Sequence, residues 1–217
     1  MHNPNEKSSI NTMSEAQPSK ERISSLLKGA DVARRLKDLD KKGIRVFTTS
    51  DFRKILHGYH EKSIARILQD AQSINILSCP SRGIFVNEMT DRPRTHLLYE
   101  VARTMRRGSY TYLSLESALS EYGVISQVPF NHTFMTTGRK GLFKTPYGVI
   151  EFTHTSRDPL SLVRDLVDND RPLPIATMQR AISDLRRTNR NTHLIQEDEI
   201  ERILRQQEEE AEDAPVF

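Results

Sequence analysis

Residues 48–87 read TTSDFRKILHGYHEKSIARILQDAQSINILSCPSRGIFVN, and this stretch decides the fold of the first half of the chain. Hydroxyl groups at 48–50 followed by Asp51 are typical of a helix start. Phe52, Ile55 and Leu56 then recur at the spacing of a first helix, and the segment 57–60, HGYH, breaks that pattern. A second helix is predicted from residue 61 to about residue 72. Residues 74–78 and 84–87 then predict two strands, joined by a turn at 79–83.

The second predicted helix is amphipathic. Four apolar residues recur at the i, i+3, i+4 and i+7 spacing that predicts one buried face, namely Ile64, Ile67, Leu68 and Ala71. Three polar residues fall together on the opposite face, namely Lys62, Arg66 and Gln69. With Ser63 in the first turn, they are the candidate contact residues of this helix. The alternative interpretation is an ordinary solvated helix face.

The order helix, turn, helix, hairpin is that of a winged helix-turn-helix, in which the second helix most often lies in a DNA major groove. Arg and Lys side chains can pair with guanine edges, and Gln can pair with adenine. Arg82 lies in the predicted turn of the hairpin. In this interpretation it is the wing residue, suited to a phosphate or minor-groove contact. The expected partner is therefore double-stranded DNA.

Charge is distributed unevenly along the chain. Residues 19–108 contain 19 Lys+Arg against 10 Asp+Glu, a balance of +9, whereas residues 196–217 contain 2 against 9, a balance of −7. The formal net charge of +3 hides this contrast. A basic first half fits a polyanionic partner, because neutralising phosphates supplies much of the affinity for DNA. An ordinary basic surface is the alternative.

The rest of the sequence predicts an α+β protein with two domains and two tails. Residues 1–18 lack an apolar pattern and predict a disordered tail. A helical segment at 19–42, which Gly29 could divide, completes a DNA-binding domain at 19–90. Residues 91–207 predict a second domain, and residues 208–217 an acidic solvated tail. The second domain has predicted helices at 96–107, 115–122, 175–187 and 197–207, the second of them capped by Ser114. Strands at 132–137, 142–144 and 149–155 predict a small antiparallel meander.

Composition narrows the cellular setting. The chain contains a single cysteine, Cys79, so no internal disulfide can form, which fits a reducing cytoplasm. No apolar run approaches the ~18 residues that a membrane span requires. The first residues also lack the apolar core of a signal peptide. We therefore expect a cytoplasmic protein.

Three blocks of the second half resemble the family of AbiEi-type antitoxins. Residues 112–119, YLSLESAL, and 122–125, YGVI, are similar to the first block of that family. The segments 136–139, TTGR, and 143–148, FKTPYG, are similar to its second block. Residues 176–185, ATMQRAISDL, resemble its later helix, although Met178-Gln179 stands where the family usually has Pro-Glu. The resemblance covers roughly residues 31–195.

The resemblance implies a role in an abortive-infection toxin–antitoxin system. Antitoxins of this family carry an N-terminal winged helix that represses their own operon by binding inverted repeats, and a C-terminal domain with the antitoxin activity. The partner toxin resembles a nucleotidyltransferase, and in many of these systems no stable complex forms. In the second domain, Arg139 and Lys140 are candidates for a phosphate or partner contact, or else belong to a solvated turn.

Two other classes of function have less support in the sequence. The seven histidines form no metal-ligand spacing such as His-Glu-x-x-His, and no Gly-x-Ser-x-Gly elbow occurs. We therefore predict no catalytic residue, no cofactor and no metal. The remaining alternative is a protein-binding adaptor that uses a winged fold without sequence-specific DNA binding.

Overall fold

The structure is a computed structural model that describes the backbone of residues 20–212 and the side-chain surroundings of residues 29–203, 205 and 206. The predicted tail at 1–18 lies outside these residues. Within the described part, the chain is an α+β protein with eight α-helices and two β-sheets. The predicted fold class is therefore confirmed at this level.

The first part of the chain forms three helices around a small sheet. Its elements are α1 (Lys20–Asp40), β1 (Val46–Thr48), α2 (Thr49–Ile55), α3 (Glu61–Ser73), β2 (Leu77–Ser81) and β3 (Ile84–Asn87). The three strands form an antiparallel sheet with β3 in the centre. Helix α3 ends one residue beyond its prediction and β3 has the predicted bounds. Gly29 does not divide α1, which is one continuous helix.

The first strand of the hairpin begins later than predicted. Asn75 has a φ of +58°, so the chain turns in the left-handed region directly after α3. The strand therefore occupies Leu77–Ser81 rather than residues 74–78. Ser81 pairs with Ile84, which reduces the predicted five-residue turn to Arg82 and Gly83. Gly83 supplies the positive φ, +77°, that this tight turn requires.

The second part adds a six-stranded sheet and five helices. Its elements are α4 (Leu97–Met105), β4 (Thr111–Leu113), α5 (Leu115–Glu121), β5 (Asn131–Thr136), β6 (Gly141–Thr145), β7 (Gly148–His154), α6 (Pro159–Leu162), β8 (Leu166–Val167), β9 (Ile175–Ala176), α7 (Met178–Thr188) and α8 (Glu197–Glu212). The strand order is β6-β7-β5-β4-β9-β8.

The predicted antiparallel meander is wrong. Strands β5 and β7 are parallel neighbours, and β6 pairs only with the far side of β7. The burial of the strands explains this order. Leu142 and Lys144 of β6 are exposed, as suits an edge strand, whereas Ile150 and Phe152 of β7 are buried. The more apolar strand therefore occupies the inner position.

Two predicted helix boundaries also change. Residues 175 and 176 form β9, and α7 begins only after Thr177, whose hydroxyl oxygen accepts a hydrogen bond from the Arg180 backbone amide. The last helix continues to Glu212, so part of the predicted acidic tail is helical, and residues 213–217 lie outside the described part.

The small sheet packs against helices on both of its faces. Phe47 and Phe85 point into one core, with Phe52 of α2 between their rings. Val46, Ile84 and Val86 point the other way, into a second core that contains α4 and the large sheet. This alternation follows from the two-residue period of a strand. The two parts of the chain therefore share the small sheet.

Candidate nucleic-acid interface

Helix α3 presents a polar stripe to solvent. Its apolar face is buried, as predicted, through Ile64, Ile67, Leu68 and Ala71. Lys62, Arg66 and Gln69 are exposed, and their i, i+4 and i+7 spacing aligns them along the helix. Ser63 is half-buried beside them. Among the described residues, no side chain forms a hydrogen bond or ion pair with the exposed three. Their donors are therefore available to a ligand.

The connection between α2 and α3 is fixed by local contacts. Gly58 has a φ of +92° in the turn, where a side chain would be strained. Across the turn, the Arg53 guanidinium lies 2.7 Å from the Glu61 carboxylate, which joins the two helices. That contact also neutralises the one acid in the first turn of α3. The stripe on α3 is thus presented by a defined helix pair.

The hairpin tip rests on the start of α2. The Thr49 backbone amide donates a 3.0 Å hydrogen bond to the Gly83 carbonyl. A Cβ atom at Gly83 would lie 3.2 Å from the Thr49 hydroxyl oxygen, which shows how close the two segments come. Arg82 is exposed at this tip, and no described residue pairs with its guanidinium. The tip therefore offers a free cation in a fixed place.

The predicted cap of α2 is confirmed, and it has an additional partner. Thr48 and Asp51 form a reciprocal capping box, in which the Asp51 amide donates to the Thr48 hydroxyl oxygen at 3.1 Å. Arg107, from the turn after α4, donates to both oxygens of the Asp51 carboxylate at 2.7 and 2.8 Å. Burial alone would raise the pKa of Asp51, but hydrogen bonds from Thr48 and Arg107 outweigh it and lower the pKa.

Two further polar contacts join the small sheet to the rest of the molecule. The Arg45 guanidinium, only 2% exposed, donates to both oxygens of Glu100 on α4, at 2.7 and 3.2 Å. At the base of the hairpin, the Tyr147 hydroxyl donates to Glu88 at 2.9 Å and lies 2.8 Å from the Ser78 hydroxyl. These residues are far apart in sequence, and no local pattern predicts their pairing.

Arg139 and Lys140 lie in the exposed turn between β5 and β6. Neither side chain has a hydrogen-bond or ion-pair partner in the described part of the chain. The turn itself is held in place, because Arg106 donates a 2.9 Å hydrogen bond to the Arg139 carbonyl. The Arg106 guanidinium in turn packs 4.0 Å above the ring centre of Phe152. The structure thus presents both candidates on the surface, but separately from the stripe on α3.

A buried polar cluster lies beneath the large sheet. Asp184 of α7 is fully buried and accepts hydrogen bonds from the hydroxyls of Tyr112 and Ser114, at 2.9 and 3.0 Å. Ser114 is the N-cap residue of α5, as predicted, but its hydroxyl forms no capping hydrogen bond. Burial raises the pKa of Asp184 despite the two hydrogen bonds and the nearby Arg157. The cluster ties α7 to the sheet.

Within the described residues, no group of three or more His, Cys, Asp or Glu side chains could hold a metal ion. In that same part of the chain, none of the helices combines the length and the apolar character needed to cross a membrane.

No family model matches the sequence, and the search of curated proteins found no match.

Proposed function

We propose that this protein is an antitoxin that binds the inverted repeats of its own promoter and represses its operon. In this proposal, residues 19–90 are a winged helix-turn-helix with α3 as the recognition helix. The β2–β3 hairpin is the wing, with Arg82 at its tip. Residues 91–207 carry the antitoxin activity against a nucleotidyltransferase-like toxin, with Arg139 and Lys140 as candidate contacts. In this proposal, promoter binding and antitoxin activity both take place in the cytoplasm.

One observation carries the DNA-binding part of the proposal. Lys62, Arg66 and Gln69 form an exposed stripe on the second helix of the pair α2–α3, and no side chain of the described residues pairs with them. Elsewhere on the surface, many arginines are paired with carboxylates, as Arg94 is with Glu88. Free donors aligned along one helix suit base edges in a major groove. Arg82 at the hairpin tip, which no described residue pairs with, suits a phosphate contact beside the base contacts of α3.

The protein-binding adaptor makes a different prediction from the same surface. A surface that recognises protein would bind promoter and random DNA equally weakly, and its DNA affinity would depend little on salt. The DNA affinity of a repressor falls strongly as the salt concentration rises. The proposal also does not require a stable complex with the toxin. Its antitoxin part rests on the resemblance of the second half to the AbiEi-type family.

Fluorescence anisotropy with a promoter duplex and a random duplex of equal length tests the proposal. The triple variant Lys62→Ala, Arg66→Ala and Gln69→Ala should lose most of its preference for the promoter. Each lost base contact corresponds to ~1–3 kcal/mol of discrimination. The fold should be unaffected, because the three side chains are exposed and form no hydrogen bond or ion pair with a described residue.

A matched control removes the same residue types elsewhere. Lys42, Gln179 and Arg187 are exposed and, within the described residues, have no side-chain partners. Their triple Ala variant loses the same charge and should retain promoter preference. Equal preference in the wild type and in the α3 variant would reject α3 as the recognition helix. Absence of promoter preference in the wild type would reject repression itself.

A further inference from the structure

An open cleft of about 1490 Å³ lies between the two parts of the chain. One side is formed by segments within 39–55, from the end of α1 to α2, and the other by segments within 92–111 and 163–174. No residue of the polar stripe on α3 lines this cleft, and neither does Arg82 at the hairpin tip. The cleft is therefore separate from the proposed DNA surface.

Positive charge dominates the walls of the cleft. Seven Lys and Arg residues line it against four Asp and Glu. Four of the cations have carboxylate partners: Arg45 and Arg92 contact Glu100, Arg107 contacts Asp51, and Arg171 contacts Glu121. The other three, Lys54, Arg103 and Arg106, are paired with no carboxylate of the described residues. Uncompensated cations from both parts of the chain thus line one cavity, which favours an anionic ligand.

The same cleft has apolar surface that no described residue covers. Ile44 is 42% exposed and Val163 is 56% exposed, and both line the cleft, together with Tyr110. Apolar side chains in a concave site commonly contact the uncharged body of a ligand. An inorganic anion would leave this surface unused, whereas a ligand with a ring would cover it.

The third feature is a pair of acids without partners. Asp168 and Asp170 line the cleft on the segment that leads into β9, and no ion pair or hydrogen bond engages them in the described part of the chain. Carboxylates accept hydrogen bonds from sugar hydroxyls and base amino groups in nucleotide sites. Cations, apolar surface and free acceptors together match the chemistry of one molecule.

We propose that this cleft binds a nucleoside triphosphate. Lys54 and Arg103 bind the phosphates, the surface at Ile44 and Val163 packs on the base, and Asp168 or Asp170 accepts from the ribose. The cleft volume of about 1490 Å³ is above the ~300–1,000 Å³ of ordinary small-molecule sites and leaves room for a nucleotide. The site does not depend on the proposed DNA-binding function.

Isothermal titration of the full-length protein with ATP, GTP, CTP and UTP tests this site. At least one of them should bind saturably with one molecule per chain. Pyrophosphate and the matching nucleoside should each bind at least about tenfold more weakly, since each makes only part of the proposed contacts. Pyrophosphate binding as tightly as the triphosphate would contradict the proposal, and so would no saturable binding up to about 2 mM.

Variants locate the binding. The double variant Lys54→Ala and Arg103→Ala should weaken nucleotide binding at least about tenfold, because charge-assisted contacts to phosphate are lost. The matched double variant Lys42→Ala and Arg187→Ala loses the same charges outside the cleft and should bind as the wild type does. Equal weakening in both pairs would indicate general electrostatic attraction and overturn the site. Displacement of the nucleotide by duplex DNA would also overturn it, because the cleft would then belong to a DNA surface.

Discussion

The contact between Arg45 and Glu100 offers a direct test of how the small sheet is held. Replacing Glu100 with Gln removes a carboxylate that accepts two hydrogen bonds from a guanidinium that is only 2% exposed. Arg45 still donates hydrogen bonds to the carbonyls of Arg92 and Pro93, at 3.3 and 3.0 Å, which partly compensates for the lost carboxylate. Leaving a buried charge without its partner costs about 3–5 kcal/mol. We expect Glu100→Gln to fall near the lower end, about 3 kcal/mol, because Glu100 is 16% exposed.

Urea denaturation at pH 7, followed by circular dichroism, measures this change as a shift in the midpoint. Glu61→Gln is the matched control, since Glu61 pairs with Arg53 at an exposed site, and it should cost no more than about 1 kcal/mol. Adding Arg45→Met to Glu100→Gln should recover part of the loss, because the unpaired charge disappears. If Glu100→Gln costs no more than Glu61→Gln, the buried contact does not stabilise the fold as argued.

Two further predictions concern acid stability and the domain boundary. Hydrogen bonds from Arg190 lower the pKa of Glu151, against the effect of burial. The stabilisation by ionised Glu151 is therefore complete above the unfolded pKa of about 4.3 and is lost as the pH falls through the lower folded pKa. In Glu151→Gln, the free energy of unfolding in urea should change less with pH between about pH 5 and pH 2 than it does in the wild type. A fragment of residues 1–90 exposes Val46, Ile84 and Val86, each contributing ~1.5–3 kcal/mol when buried. The 1–90 fragment should therefore melt at a lower temperature than a 1–110 fragment, which retains α4. Equal thermal midpoints would mean that α4 does not stabilise the small sheet.

Local patterns predicted the helices better than the sheets. Helix α3 was predicted nearly to its ends, because four apolar residues repeat at helical spacing over two turns and form its buried face. Strand β3 was predicted because its first three residues, Ile84, Phe85 and Val86, are apolar and follow Gly83. Strands β1, β4, β8 and β9 have only two or three residues, too few for a period to emerge.

Contacts between residues that are distant in the sequence could not be predicted from a single sequence. Strands β5 and β7 pair directly, and β6 lies at the edge of the sheet beyond β7. The tight turns around β6 favoured the prediction that each strand pairs with the next one in sequence. Arg45 and Glu100 are 55 residues apart, and nothing near either one predicts the other. The exposed candidates on α3 were found because helical periodicity separates polar from apolar faces. The cleft could not be found, because its lining residues come from segments as distant as 39–55 and 163–174.

The salt dependence of promoter binding tests the central claim most directly. The positive balance of residues 19–108 suggests several phosphate contacts. If about six phosphates are neutralised, the logarithm of affinity should fall against the logarithm of salt concentration with a slope of roughly −5. Arg82→Ala should reduce the slope by about one unit and weaken promoter and random DNA alike, because a phosphate contact reads no sequence. A slope near zero, with no preference for the promoter duplex, would contradict the account and favour a protein-binding adaptor.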